Sequence, residues 1–135
     1  MILFINTADQ KEIFIGVINK NNFIIKKKFQ AQYQQAEKLL VEIDRILAKS
    51  GLKLNDLKAI AVVNGPGPFT ALRVGVSTAN TLAYALNIRI VGIELGEFNN
   101  LDQLTMIINQ KIIKAKLKVI IKPFYGKEPN ITRKK

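Results

Sequence analysis

The residues best suited to chemistry in this 135-residue chain form the run Gly65-Pro66-Gly67-Pro68-Phe69-Thr70-Ala71-Leu72-Arg73-Val74-Gly75. A glycine-rich loop that feeds a helix N-terminus can hold an anion, because unpaired N–H groups and the helix dipole both favour negative charge there. The details weaken that reading. No Lys-Ser or Lys-Thr follows the glycines as a phosphate loop needs, Leu72 breaks the G-x-G-x-x-G spacing, and both prolines remove donors. A tight turn made for packing is the simpler use of the same residues.

The chain has no histidine and no cysteine. Disulfides, thiolate catalysis, zinc sites built on Cys or His, and Ser-His triads are thereby excluded. Carboxylates, lysines, hydroxyls and backbone groups remain. Asp9 and Glu12 lie near the first turn, and paired carboxylates beside a sheet can serve a metal-dependent nuclease of the ribonuclease H type. Such a site needs a carboxylate inside the sheet, where Asn6 stands. Asp9 and Glu12 therefore read as solvated turn residues, and no catalytic residue, metal ligand or cofactor contact is assigned.

The elements that position the glycine run follow from periodicity. Met1 to Asn6, Lys11 to Ile18 and Phe23 to Phe29 are rich in Ile and Phe and are separated by polar turns, which predicts an antiparallel meander. Ala36, Leu39, Leu40, Ile43, Ile46 and Leu47 recur at steps of three and four, predicting an amphipathic helix from Gln34 to Lys49 that stops at Gly51. Strand Ala59 to Val63, the loop Asn64 to Pro68, helix Phe69 to Leu86 and strand Ile88 to Ile93 complete a β-β-β-α-β-α-β unit. On a wheel of roughly 100° per residue, Ala71, Gly75, Ala79 and Ala83 form one ridge beside Leu72, Val76, Leu82 and Leu86, within an apolar or small arc of roughly 220°. One sheet cannot cover that width, so a neighbouring helix is expected on the other side: the helix from Gln34 to Lys49, a partner, or both.

Charge is uneven. Residues 1–97 hold 12 Lys and Arg against 8 Asp and Glu, and residues 98–135 hold 9 against 2, within a net charge of +11. In the second stretch Ile113, Ala115, Leu117, Val119 and Ile121 alternate with Lys114, Lys116, Lys118 and Lys122. That is the pattern of a strand with one buried and one wet face. With Leu104 to Ile108 before it, it predicts a basic β-hairpin. The lysine row would either contact RNA phosphates or guard a sheet edge. Hydrophobic residues make up 48%, enough to bury a core, and no segment approaches the roughly 18 apolar residues of a membrane span. Met1 to Ile5 is too short for a signal-peptide core, so a cytoplasmic chain with no membrane partner is expected.

The words Gly65-Pro66-Gly67-x-Phe69-Thr70-x-Leu72-Arg73-x-Gly75, with Asn6-Thr7 ending the first strand, resemble the TsaB (YeaZ-like) family of tRNA threonylcarbamoyladenosine biosynthesis. The resemblance covers residues 1 to about 97 and resumes in the tail from Tyr125 to Lys135. It departs from the family at Asn6 (usually acidic), Pro68 (usually Ser), Ala71 (usually Gly) and Gln34 or Gln35 (usually near a His). It implies an α/β fold: one actin-like ATPase superfold (ribonuclease H-like) lobe over residues 1–97, followed by a reduced C-terminal segment, 98–135, with the hairpin and basic tail. Family members carry two related lobes, and the roughly 38 residues after the first are too few for another. The expectation is therefore a scaffold without a nucleotide cleft.

The resemblance further implies a non-catalytic subunit that stabilises a TsaD-like catalytic subunit, helps a TsaE-like ATPase engage, and pairs with itself when the TsaD-like subunit is absent. Leu39, Leu40, Ile43, Leu72, Val76, Ala79, Leu82 and Ala83 would supply the interface or the layer beneath it, with Arg73 at its rim. Lys114, Lys116, Lys118 and Lys122 would meet tRNA. Two other classes stay open: a small basic nucleic-acid-binding module, and a metal-dependent phosphotransferase or nuclease.

Overall fold

In a computed structural model describing residues 1–9, 11–30 and 35–126, the chain builds one five-stranded sheet and three helices. Strands β1 (Ile2–Asn6), β2 (Ile13–Asn19) and β3 (Asn22–Phe29) form the expected antiparallel meander. β4 (Ala59–Gly65) and β5 (Arg89–Glu94) add in parallel, giving the order β3-β2-β1-β4-β5. β1 and β4 read as nearly unbroken apolar runs because both faces of the sheet centre are covered; Leu3, Phe4, Ile5, Ile60 and Val62 are fully buried.

Helices α1 (Gln35–Lys49) and α2 (Phe69–Leu86) pack on each other, α1 against β2 and β3 and α2 against β4, β5 and β1. The wide apolar arc of α2 is thus divided between the sheet and α1. Gly75 allows the close approach to β1: a Cβ there would run into the Thr7 Oγ1. α1 ends where expected, at Gly51 with φ of 71°, and the Leu52 N–H closes the turn on the Leu47 carbonyl at 2.8 Å. Residue 34, the predicted helix start, lies outside the described residues.

Lys27 Nζ donates to Glu42 Oε1 of α1 at 2.7 Å, so Lys27 points to the helical face. Its neighbours Lys26 and Lys28 point to the other. There Phe4, Phe14 and Phe23 cluster, with Phe4 and Phe14 edge to face at 5.7 Å. Helix α3 (Leu101–Lys114) covers this second face. It packs on β5, and Asn109 Nδ2 reaches the Lys20 carbonyl in the β2–β3 turn at 2.7 Å.

Helix α3 corrects the predicted hairpin. Asn100 caps it by accepting the Gln103 N–H at 2.8 Å, while the Gln103 side chain accepts the Asn99 N–H at 2.8 Å. Leu104, Thr105 and Ile108 form its buried stripe. The apolar run Leu104 to Ile108 suits a strand equally well when taken alone, but the cap and the 3–4 spacing decide for helix. Nor is there a second hairpin strand. Ala115 ends the helix, a turn at Leu117-Lys118 with Lys118 at φ of 63° breaks the alternation, and residues 119–125 run on without pairing in the sheet.

Candidate functional site

The glycine run meets two other segments at the carboxyl ends of the parallel strands β1 and β4. Residues 6–9 leave β1, residues 64–68 turn from β4 into α2, and residues 121–125 return to lie across both. Asn6 Oδ1 accepts the Ala8 N–H at 2.9 Å, so the side chain standing where an acid would face the site closes a local turn. Asp9 Oδ1 accepts the N–H groups of Lys11 and Glu12 at 2.7 and 3.2 Å. Those bonds, the Lys11 one first, hold its carboxyl below the ordinary range. Asp9 acts as a turn residue in the described structure, and among the described residues no three carboxylates stand together.

The returning segment fills the loop. Gly65 has φ of 136°, and a Cβ there would collide with the Phe124 carbonyl, while the Phe124 N–H donates to the Asn64 carbonyl at 2.6 Å. Asn64 Nδ2 donates to the Lys122 carbonyl at 3.1 Å. From α2, Asn80 bonds both backbone groups of Ile121. Gly67 lies against Ala8. At the mouth, the Phe69 and Tyr125 rings stack at 4.8 Å, and the Arg73 guanidinium sits 4.9 Å from the Phe69 centroid. Pro68 stands at the N-cap of α2 with no side chain capping the helix. The arrangement clamps the chain's own backbone, with the Arg73 cation at its rim. Thr7 Oγ1 and Asn64 Oδ1 are buried there without a hydrogen-bond partner among the described residues.

The predicted interface residues divide by burial. Leu39, Ile43, Leu72, Val76, Ala79 and Ala83 are covered by the chain's own atoms and form the layer beneath the surface. Leu40 and Arg73 are exposed and Leu82 is half-buried. Between the two helices and the returning segment runs an open groove of about 540 Å³, lined by Ala36, Thr70, Arg73, Ser77, Thr81 and Pro123 among others. A polar stripe of short side chains thus lies above the apolar ridge. Asn80 and Asn64, the residues that hold the returning segment, escape a reading of the sequence alone, since an Asn in a helix carries no mark of the backbone it will bond.

The four predicted RNA-contacting lysines do not form a row on one strand. Lys114 ends α3, Lys116 precedes the turn after it, Lys118 lies in that turn, and Lys122 lies in the returning segment; all four are exposed. Two carboxylates elsewhere are held low. Glu42 is buried on α1, and the bond from Lys27 outweighs its desolvation. For Glu97, burial is the largest influence and raises the pKa, but the Glu94 N–H and Lys111 together outweigh it and leave the net shift downward.

Residues 25–101 match the family model described as TsaD, tRNA N6-adenosine threonylcarbamoyltransferase. The chain is 43% identical over 63 residues to the tRNA threonylcarbamoyladenosine biosynthesis protein TsaB of Haemophilus influenzae, spanning 47% of this chain and 27% of that protein. It is also 43% identical over 63 residues to the tRNA N6-adenosine threonylcarbamoyltransferase of Geotalea daltonii, again 47% of this chain but 18% of that protein. The fold superposes on YeaZ from Pseudomonas aeruginosa with a TM-score of 0.63 at 22% identity, over 69% of this chain and 43% of that one. The chain thus spans well under two thirds of these relatives, and its likeness to YeaZ is one of fold, a single actin-like, ribonuclease H-like lobe. Through the match over residues 25–101 the chain belongs to the tRNA N6-adenosine threonylcarbamoyltransferase (TsaD) family, and its likeness to TsaB and YeaZ makes it a TsaB/YeaZ-like member.

Proposed function

We propose that this chain is a non-catalytic scaffold subunit of tRNA threonylcarbamoyladenosine biosynthesis. It binds and stabilises a TsaD-like catalytic subunit in the cytoplasm and helps a TsaE-like ATPase engage. The observation that carries the reading is the filled glycine loop: Phe124 stands against Gly65 and Ala8 against Gly67, where a phosphate-cradling loop needs open space and free N–H groups. The loop works as a packing joint. Its partner surface is the outer face of α1 and α2, where Leu40, Arg73, Ser77 and Thr81 are exposed. Short side chains there let another helix approach closely. Two copies of the chain use the same face when no TsaD-like subunit is present.

The test is co-purification with a TsaD-like protein. An equimolar complex is expected, lost in the variant carrying Leu40→Asp and Ser77→Arg while circular dichroism of that variant is unchanged. A complex indifferent to this pair moves the interface elsewhere, and failure to bind any TsaD-like protein overturns the scaffold reading. ATP hydrolysis that follows the chain through further purification overturns the non-catalytic part.

A further inference from the structure

The segment predicted to bury one face as a strand exposes its apolar residues instead. Ile113 is 82% exposed, Ile120 73%, Leu117 45% and Val119 44%, and only Ala115 and Ile121 of the alternating set are half-buried. They lie among Lys111, Lys114, Lys116, Lys118 and Lys122, with no acidic residue between 111 and 122. Two shallow grooves gather part of this set into one surface along the edge strand β5. Lys111, Lys114, Lys116 and Val119 line one, and Lys118, Val119, Ile120 and Tyr84 line the next, with Val119 common to both. Tyr84, from α2, is 81% exposed beside this patch.

We propose that this surface binds the face of an anionic lipid bilayer. Phosphates alone reward the lysines but not the exposed aliphatic side chains, which gain nothing from a polyanion. A second copy would set like charges against each other. An anionic bilayer satisfies both sets at once: headgroups take the ammonium groups, and the acyl boundary takes Val119 and Ile120. Tyrosine at the margin suits the same interface, with its ring in the boundary and its hydroxyl in water. Binding of this kind lies on the membrane and needs no crossing helix; among the described residues none is long and apolar enough to cross. The sequence-based expectation of no membrane partner rested on the lack of a spanning segment and of a signal-peptide core, and neither bears on binding at a bilayer's face. The surface adjoins the α1–α2 groove at Asn80 and Ile121, but Lys116, Lys118, Val119 and Ile120 do not line that groove, so the test does not depend on the TsaD-like reading.

The test is sedimentation of the full chain with vesicles of phosphatidylcholine alone and of equimolar phosphatidylglycerol and phosphatidylcholine. Binding is expected only to the anionic vesicles and weakens as salt is added. Lys116→Gln with Lys118→Gln reduces partitioning by roughly fivefold per lysine. Val119→Asn with Ile120→Asn, at exposed positions that leave the fold intact by circular dichroism, also reduces it, and this arm separates bilayer from polyanion. The proposal fails if the anionic vesicles do not bind. It fails equally if the Val119 and Ile120 pair has no effect on binding, and lysine-dependent displacement of the vesicles by tRNA would then assign the surface to RNA.

Discussion

Asn80 holds Ile121 by both of its backbone groups: Nδ2 donates to the carbonyl and Oδ1 accepts the N–H, each at 2.9 Å. One side chain on α2 thereby does the work of a neighbouring strand and ties residues 41 positions away to the helix. Asn80→Ala removes both bonds and leaves the Ile121 groups half-buried and unpaired, a loss of about 1–3 kcal/mol. Urea denaturation measures it, and limited proteolysis between residues 115 and 126 should become faster. Unchanged stability and unchanged cleavage would show that the segment does not depend on this clamp.

Gly75→Ala sets helix propensity against space. Alanine favours the helix by up to about 1 kcal/mol, but its Cβ meets Thr7, and overpacking of that kind costs about 1–3 kcal/mol. Net destabilisation is expected in thermal melts. Combining it with Thr7→Ala, which removes the colliding Oγ1 and Cγ2, recovers part of the loss, and a double-mutant cycle measures the coupling. Additive effects would mean that α2 and β1 do not press together at this point.

The ion pair on α1 predicts a pH dependence. The bond from Lys27 lowers the Glu42 pKa below its ordinary 4.5. Its contribution is therefore fully present above pH 4.5 and is lost as pH falls through the depressed folded value. Glu42→Gln should lower stability near neutral pH by about 1–2 kcal/mol, less than for a fully buried pair because Lys27 and Arg45 keep contact with water. The gap between wild type and variant should close in acid. A gap that is constant with pH would attribute the effect to packing.

Burial separates two neighbouring positions on α2. Ala79 is fully buried and Ser77 is exposed. Ala79→Arg places an unpaired charge in the core at a cost of several kcal/mol and should unfold the chain. Ser77→Arg should leave its melting temperature nearly unchanged. Equal tolerance at both positions would put the ridge outside the core.

Much of this protein was legible in its residues. Ile-rich runs between polar turns, the 3–4 spacing of Leu39, Ile43, Ile46 and Leu47, and the Gly-Pro run before Phe69 specify their elements locally, because backbone geometry repeats over a few residues. The same words carried the family. The cap of α3, with Asn100 followed at three residues by Gln103, was present in the sequence too, but the alternation of Ile and Lys after it outweighed it. Tertiary structure decided what depends on distance. Only the fold brings Phe124 onto Gly65 and Ile121 onto Asn80, and those contacts turn an apparent anion loop into a packing joint. Only the fold determines which side of each helix is covered, placing Ala79 inside and Leu40 outside. Local pattern reports that a residue can be buried; whether it is depends on what the rest of the chain lays over it, and among the described residues little is laid along 113–120.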